Sequence, residues 1–96
     1  MYTLCAVINS DFPLGRVVMT PGIAAEVSDH ERARALQRHG NQDWGDVCQE
    51  DCAENARSLK EGFRLLSVYH TETGLTFWII TEADRSATTL LLPEEY

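Results

Sequence analysis

The chain is short of positive charge: eight Lys and Arg stand against fifteen Asp and Glu, a formal net charge of −7 on 96 residues. That shortage argues against a nucleic-acid binder, which neutralises phosphates with clustered Lys and Arg. It favours a partner surface that is itself basic. Long apolar runs are also missing. Residues 1–8 are apolar but too few to cross a bilayer, and they carry no basic start or small-residue cleavage site. Neither a membrane span nor a signal peptide is therefore expected, and the expected compartment is the cytoplasm. Cysteine is scarce and odd in number, three in all, which argues against a secreted disulfide framework. No catalytic motif, metal box, nucleotide loop, internal repeat or low-complexity stretch is present. What remains is 44% hydrophobic and 24% charged, the composition of one globular domain over residues 1–96.

The pattern along the chain predicts strands at both ends and helices between them. Residues 2–8 form a β-rich apolar run with Cys5 in its core, and residues 16–19 read as a short second strand. Thr20-Pro21 is an N-cap followed by proline at the first helical position, and Ser28 with Glu31 is a capping box. One kinked helix or two short ones then cover residues 21–39, with Gly40 as the stop. A further helix over residues 47–61 is expected to be capped by Asp46 and stopped by Gly62, with Cys48, Cys52, Ala56 and Leu59 as its buried stripe. Its outer face is acidic.

After Gly62 the period changes from 3.6 to 2. Residues 63–69, 75–81 and 87–92 read as consecutive antiparallel strands, separated by Thr71-Glu72-Thr73-Gly74 and Ala83-Asp84-Arg85-Ser86. Trp78 lies in the apolar middle strand and is expected in the core. The expected fold is α+β: a small antiparallel sheet, made of this meander plus the N-terminal strand, with helices on one face.

Three constellations bear on function. Cys48 and Cys52, four residues apart, are the right types for a metal or a nucleophile. They fall on the predicted apolar stripe, and His30, His39 and His70 have no spacing that completes a site. Neither catalysis, a cofactor nor a metal is therefore expected. Arg32, Arg34, Arg38 and His39 crowd the end of the middle helix, where cations suit the dipole, and are too few for a nucleic-acid footprint. Asp43, Asp46, Glu50, Asp51 and Glu54 make the densest acidic patch. Helix capping explains two or three of these five carboxylates, and the remainder reads as a binding surface. Trp44 lies inside that patch, either as a staple under the helix or as an exposed interface anchor.

Residues 78–86, running on to Leu91-Leu92-Pro93-Glu94-Glu95-Tyr96, resemble the C-terminal half of a family of small plasmid-related proteins carried by mobile elements. Thr20-Pro21-Gly22, Asp43-Trp44-Gly45 and Glu50-Asp51 with Asn55 are similar to landmarks of that family. The resemblance implies a setting and no mechanism. In that setting, small acidic proteins often disarm host defences, some by imitating the charge of DNA. The expectation is an interaction protein, a monomer or small homo-oligomer that touches neither membrane nor nucleic acid. Asp43, Trp44, Asp46, Glu50, Asp51 and Glu54 would meet the basic surface of a host defence complex, as an anti-CRISPR or anti-restriction protein does. A role in plasmid maintenance or regulation is the alternative, and a small metal- or thiol-dependent enzyme a third.

Overall fold

A computed structural model describes residues 1–4 and 8–96. Its elements run β1 (Tyr2–Thr3), β2 (Arg16–Met19), α1 (Pro21–Glu26), α2 (Asp29–Gly40), α3 (Gln49–Glu61), β3 (Leu65–His70), β4 (Thr76–Thr81) and β5 (Ala87–Leu91), then a 3-10 turn over Pro93–Glu95. The fold is α+β, as the change of period implies. Of the strand expected over residues 2–8, Tyr2–Thr3 pairs with β2; residues 5–7, and the core position assigned to Cys5, lie outside the described residues.

Local chemistry sets most of the boundaries. The Thr20 hydroxyl accepts from Ile23 N and caps α1, and the Ser28 hydroxyl accepts from Glu31 N and caps α2. Two capped starts divide the segment into two helices, with Val27 extended and buried between them. Arg32 then ties the pair together, its guanidinium donating to the carbonyls of Ile23 and Ala24 and pairing with Asp29. Gly62 ends α3 at φ 80°, and both Gly62 N and Phe63 N donate to Ser58 O. Because Phe63 still serves the helix end, the third strand opens at Leu65 and not at residue 63.

The sheet order is β1-β2-β5-β4-β3. The meander is antiparallel throughout, with Leu65 opposite Thr81 and Ile79 opposite Leu90. The sheet is nevertheless mixed, because β2 pairs in parallel with β5, placing Val17 beside Thr88 and Met19 beside Leu90. The three helices carry the chain from β2 to the far edge, and the meander then returns across the sheet to lay β5 along β2.

One face of the sheet presents Tyr69, Phe77, Ile79 and Leu90, and it is covered by Ile23 of α1, Val27 between the helices, and Ala35 and Leu36 of α2. Burial of these side chains, about 1.5–3 kcal/mol each for the larger ones, is the main stabilising term. Trp78 is only half-buried, which corrects its expected core position. In β4 it alternates with Phe77 and Ile79, so it points to the opposite face, where it meets Tyr96 edge-to-face at 5.8 Å. Helix α3 lies along the outer edge of β3 and not over the face.

Candidate functional site

The acidic patch is built on the segment that closes the sheet edge. An edge strand exposes unpaired N–H and C=O groups, which template unwanted pairing unless they are covered. Here Val68 N donates to Trp44 O at 3.0 Å and Asp46 N donates to Val68 O at 2.8 Å, a parallel bridge against β3. Gly45 makes this approach feasible. Its φ is 73°, and a Cβ there would meet Val68 O at 2.0 Å. One pleat further along, Asn55 acts as a strand in miniature: its amide nitrogen donates to Leu66 O at 2.7 Å, and its oxygen accepts from Leu66 N at 3.1 Å.

This edge role overturns the expected facing of α3. The inward residues are Asn55 and Ser58, with Leu59 half-buried, while Cys48, Cys52 and Ala56 are exposed. An apolar stripe has nothing to offer a strand edge, whereas an amide satisfies both of its groups. The cap is also corrected. Cys48, not Asp46, is the N-cap, and its sulfur accepts from Asp51 N at 3.4 Å. The helix accordingly begins at Gln49 and not at residue 47.

The six candidate residues separate under this geometry. Trp44 is 6% exposed and packs edge-to-face on His39 at 5.4 Å and beside Phe12 at 6.1 Å, so it is a support and not a contact. Asp43 is engaged by the Arg38 guanidinium at 2.8 and 3.2 Å, a pairing that holds its carboxyl below the usual range. Asp46 meets His70 Nε2 at 3.0 Å with most of its side chain in solvent. Among the described residues Glu54 pairs only with Arg57, at 4.0 Å, and Arg57 is held more closely by Glu61 at 2.6 Å. Glu50 and Asp51 are exposed and have no ion-pair partner among the described residues. Within this patch, the carboxylates with least internal pairing are therefore those on the first two turns of α3.

Two features escaped the sequence reading. Phe63 is 46% exposed and Tyr96 69% exposed, both beside Arg64, whose guanidinium donates to the Tyr96 hydroxyl at 2.5 Å. The exposed phenylalanine was hidden because residue 63 fits the alternating pattern of the strand that follows it. The second feature is a fully buried polar chain. His39 Nδ1 lies 2.5 Å from Ser67 Oγ and Nε2 lies 2.8 Å from Thr81 Oγ1, while Thr81 bonds Thr88 and Thr88 donates to Leu14 O. The last bond fixes the sense of all the others. Thr88 spends its proton on a carbonyl, so Thr81 donates to Thr88, His39 donates from Nε2, and Ser67 donates to Nδ1. Burial, with the charge of Arg85 as a smaller contribution, lowers the His39 pKa to about 3. Ser67 and His39 form a hydrogen-bonded pair of nucleophile and base types, but both are 0% exposed, so the pair joins α2 to the sheet and meets no substrate.

Among the described residues no three His, Cys, Asp or Glu side chains converge as a metal set, and no helix is long and apolar enough to cross a membrane. No protein-family model, curated protein or solved structure matches the chain.

Proposed function

We propose that the protein acts by binding, presenting the outer face of α3 to a basic protein surface of the kind that otherwise holds a nucleic-acid backbone. The observation that carries this reading is the helix itself. It is anchored through Asn55 and Ser58, leaving Glu50, Asp51 and Glu54 exposed with little or no internal neutralisation. Carboxylates held on a fixed helix and only weakly paired present a directed negative field, which steers a basic partner and opposes a nucleic acid. The resemblance to plasmid-related proteins supplies the setting: a host defence complex, a CRISPR effector or a restriction enzyme, whose nucleic-acid channel this face would occupy.

Affinity for such a complex, or its inhibition, measured across a salt series tests the reading. Affinity should fall steeply as salt rises, because opposed surface charges are screened over about 8 Å at physiological ionic strength. Changing Glu50→Lys together with Glu54→Lys should abolish binding while far-ultraviolet circular dichroism stays unchanged, since neither side chain packs inward. Equal affinity of parent and reversed proteins, flat with salt, would overturn the reading and leave plasmid maintenance ahead.

A further inference from the structure

We infer that the groove between α3 and the entry to β3 is a slot for one arginine side chain of the partner, an inference that rests on the acidic-face reading above. The groove holds about 190 Å³ and is walled by Asp51 and Glu54 from α3, floored by Phe63 and Leu66, and bounded by Arg64. That volume is below the roughly 300–1,000 Å³ of pockets for whole small molecules and suits a single side chain.

Its two halves differ in chemistry. The floor is apolar and aromatic, and the wall carries two carboxylates. A long side chain with a methylene stem and a cationic head satisfies both halves at once. A purely apolar side chain would strip water from the carboxylates without replacing it, and an acidic one would be repelled. Arginine fits better than lysine, because its planar head stacks on aromatic rings and pairs with carboxylates through a fixed fork of donors. The protein already uses this pairing internally: the Arg57 guanidinium lies 5.7 Å from the centre of the Phe63 ring while holding Glu61.

The site is also rigid. Phe63 N donates to Ser58 O, and Phe63 O accepts from Arg85 at 2.6 Å, so the backbone on both sides of the ring is fixed. Arg85 also reaches Ser58 O at 3.0 Å and binds the α3 terminus to the hairpin between β4 and β5. A ring pinned partly in solvent beside Asp51, which has no ion-pair partner among the described residues, and Glu54, which Arg57 reaches only at 4.0 Å, is arranged for an incoming group. Arg64, which also lines the groove, donates to the Tyr96 hydroxyl and forms no ion pair with Asp51 or Glu54.

The test is an NMR titration of the full chain with acetyl-Gly-Arg-Gly-amide, and with the same peptide carrying uncharged citrulline. Saturable amide shifts are expected at Asp51, Glu54, Phe63 and Leu66 with arginine and not with citrulline. Phe63→Ser, at an exposed position, should keep the fold and weaken the arginine peptide roughly two- to fivefold through loss of stacking. Asp51→Asn should weaken it on a similar scale. Shifts spread equally over remote acids such as Glu26 and Asp29, equal response to citrulline, or indifference to Phe63→Ser would overturn the slot. The two proposals fail separately. A silent slot with binding still abolished by the double reversal removes only the slot. A working slot with partner affinity flat in salt removes only the acidic-face reading.

Discussion

A histidine without solvent contact exchanges its proton at the expense of the fold, and His39 is in that position. Its pKa of about 3 compares with an ordinary 6.5, so the folded state holds it neutral while the unfolded chain protonates it below 6.5. The unfolded state then binds more protons, and stability falls as the medium is acidified. The contribution is complete above pH 6.5 and is lost progressively down to about pH 3, at roughly 1.4 kcal/mol per pH unit. Asp43 and Glu95, held low chiefly by Arg38 and by the Thr20 hydroxyl respectively, lose stability in the same direction but only in the carboxylate range. Urea denaturation between pH 6.5 and about 5 isolates the histidine. The expected outcome is a steady fall for the parent and a nearly flat profile for His39→Gln, which is less stable at pH 7 because it cannot reproduce both ring contacts. A parent profile flat over that window would show that His39 reaches solvent. The sequence placed His39 among the cations at a helix end; nothing local reveals that Ser67 and Thr81, from two different strands, converge on it, with Thr88 of a third strand behind Thr81.

The edge formed by α3 and residues 44–46 shows what was readable from the sequence and what was not. The meander was readable because alternation, Gly62 and the two turns are local signals that agree with one another. The facing of α3 was not, because Asn55 is chosen by the bare backbone of a strand that follows it in sequence. Cys48, Cys52, Ala56 and Leu59 formed a better apolar stripe than the one the fold buries. The parallel pairing of β2 with β5 was likewise out of reach, since two short strands about seventy residues apart carry no register signal. These interactions predict a mutational signature at the edge. Asn55→Leu, although apolar and a good helix former, should destabilise by about 1–3 kcal/mol, because it leaves Leu66 N and O unpaired against the helix. Gly45→Ala should also destabilise, on the order of 1–3 kcal/mol, through strain at positive φ together with the clash on Val68 O. Both losses should appear in urea titrations, with faster amide exchange at Leu66 for Asn55→Leu and at Val68 for Gly45→Ala. Unchanged protection in either variant would mean that the edge is held by something other than these two contacts.

Over the whole molecule, carboxylates outnumber cations by seven, and among the described residues most of the cations form no ion pair with one of them. Arg32 and Arg85 spend their guanidinium groups largely on backbone carbonyls, and Arg64 spends one on a tyrosine hydroxyl, so these cations neutralise few carboxylates. Arg38 and Arg57 neutralise Asp43 and Glu61, while Glu50 and Asp51 remain uncompensated. Self-repulsion between such groups opposes the compact state and weakens as salt shortens the screening length from about 30 Å at 0.01 M to about 8 Å at 0.15 M. The melting temperature should therefore rise with sodium chloride over that range. A gain on the order of 0.5–1 kcal/mol would appear as a few degrees in a chain of this size. The double change Glu50→Lys and Glu54→Lys moves the net charge from −7 to −3, since each substitution adds two, and should shrink the rise. A melting temperature that falls with salt in the parent would show that ion pairs such as Arg38 with Asp43 outweigh the repulsion, and that α3 is not under electrostatic load. The sign also matters for the binding experiment. If salt strengthens the fold while weakening the complex, loss of affinity at high salt cannot come from unfolding and must come from the screened interface.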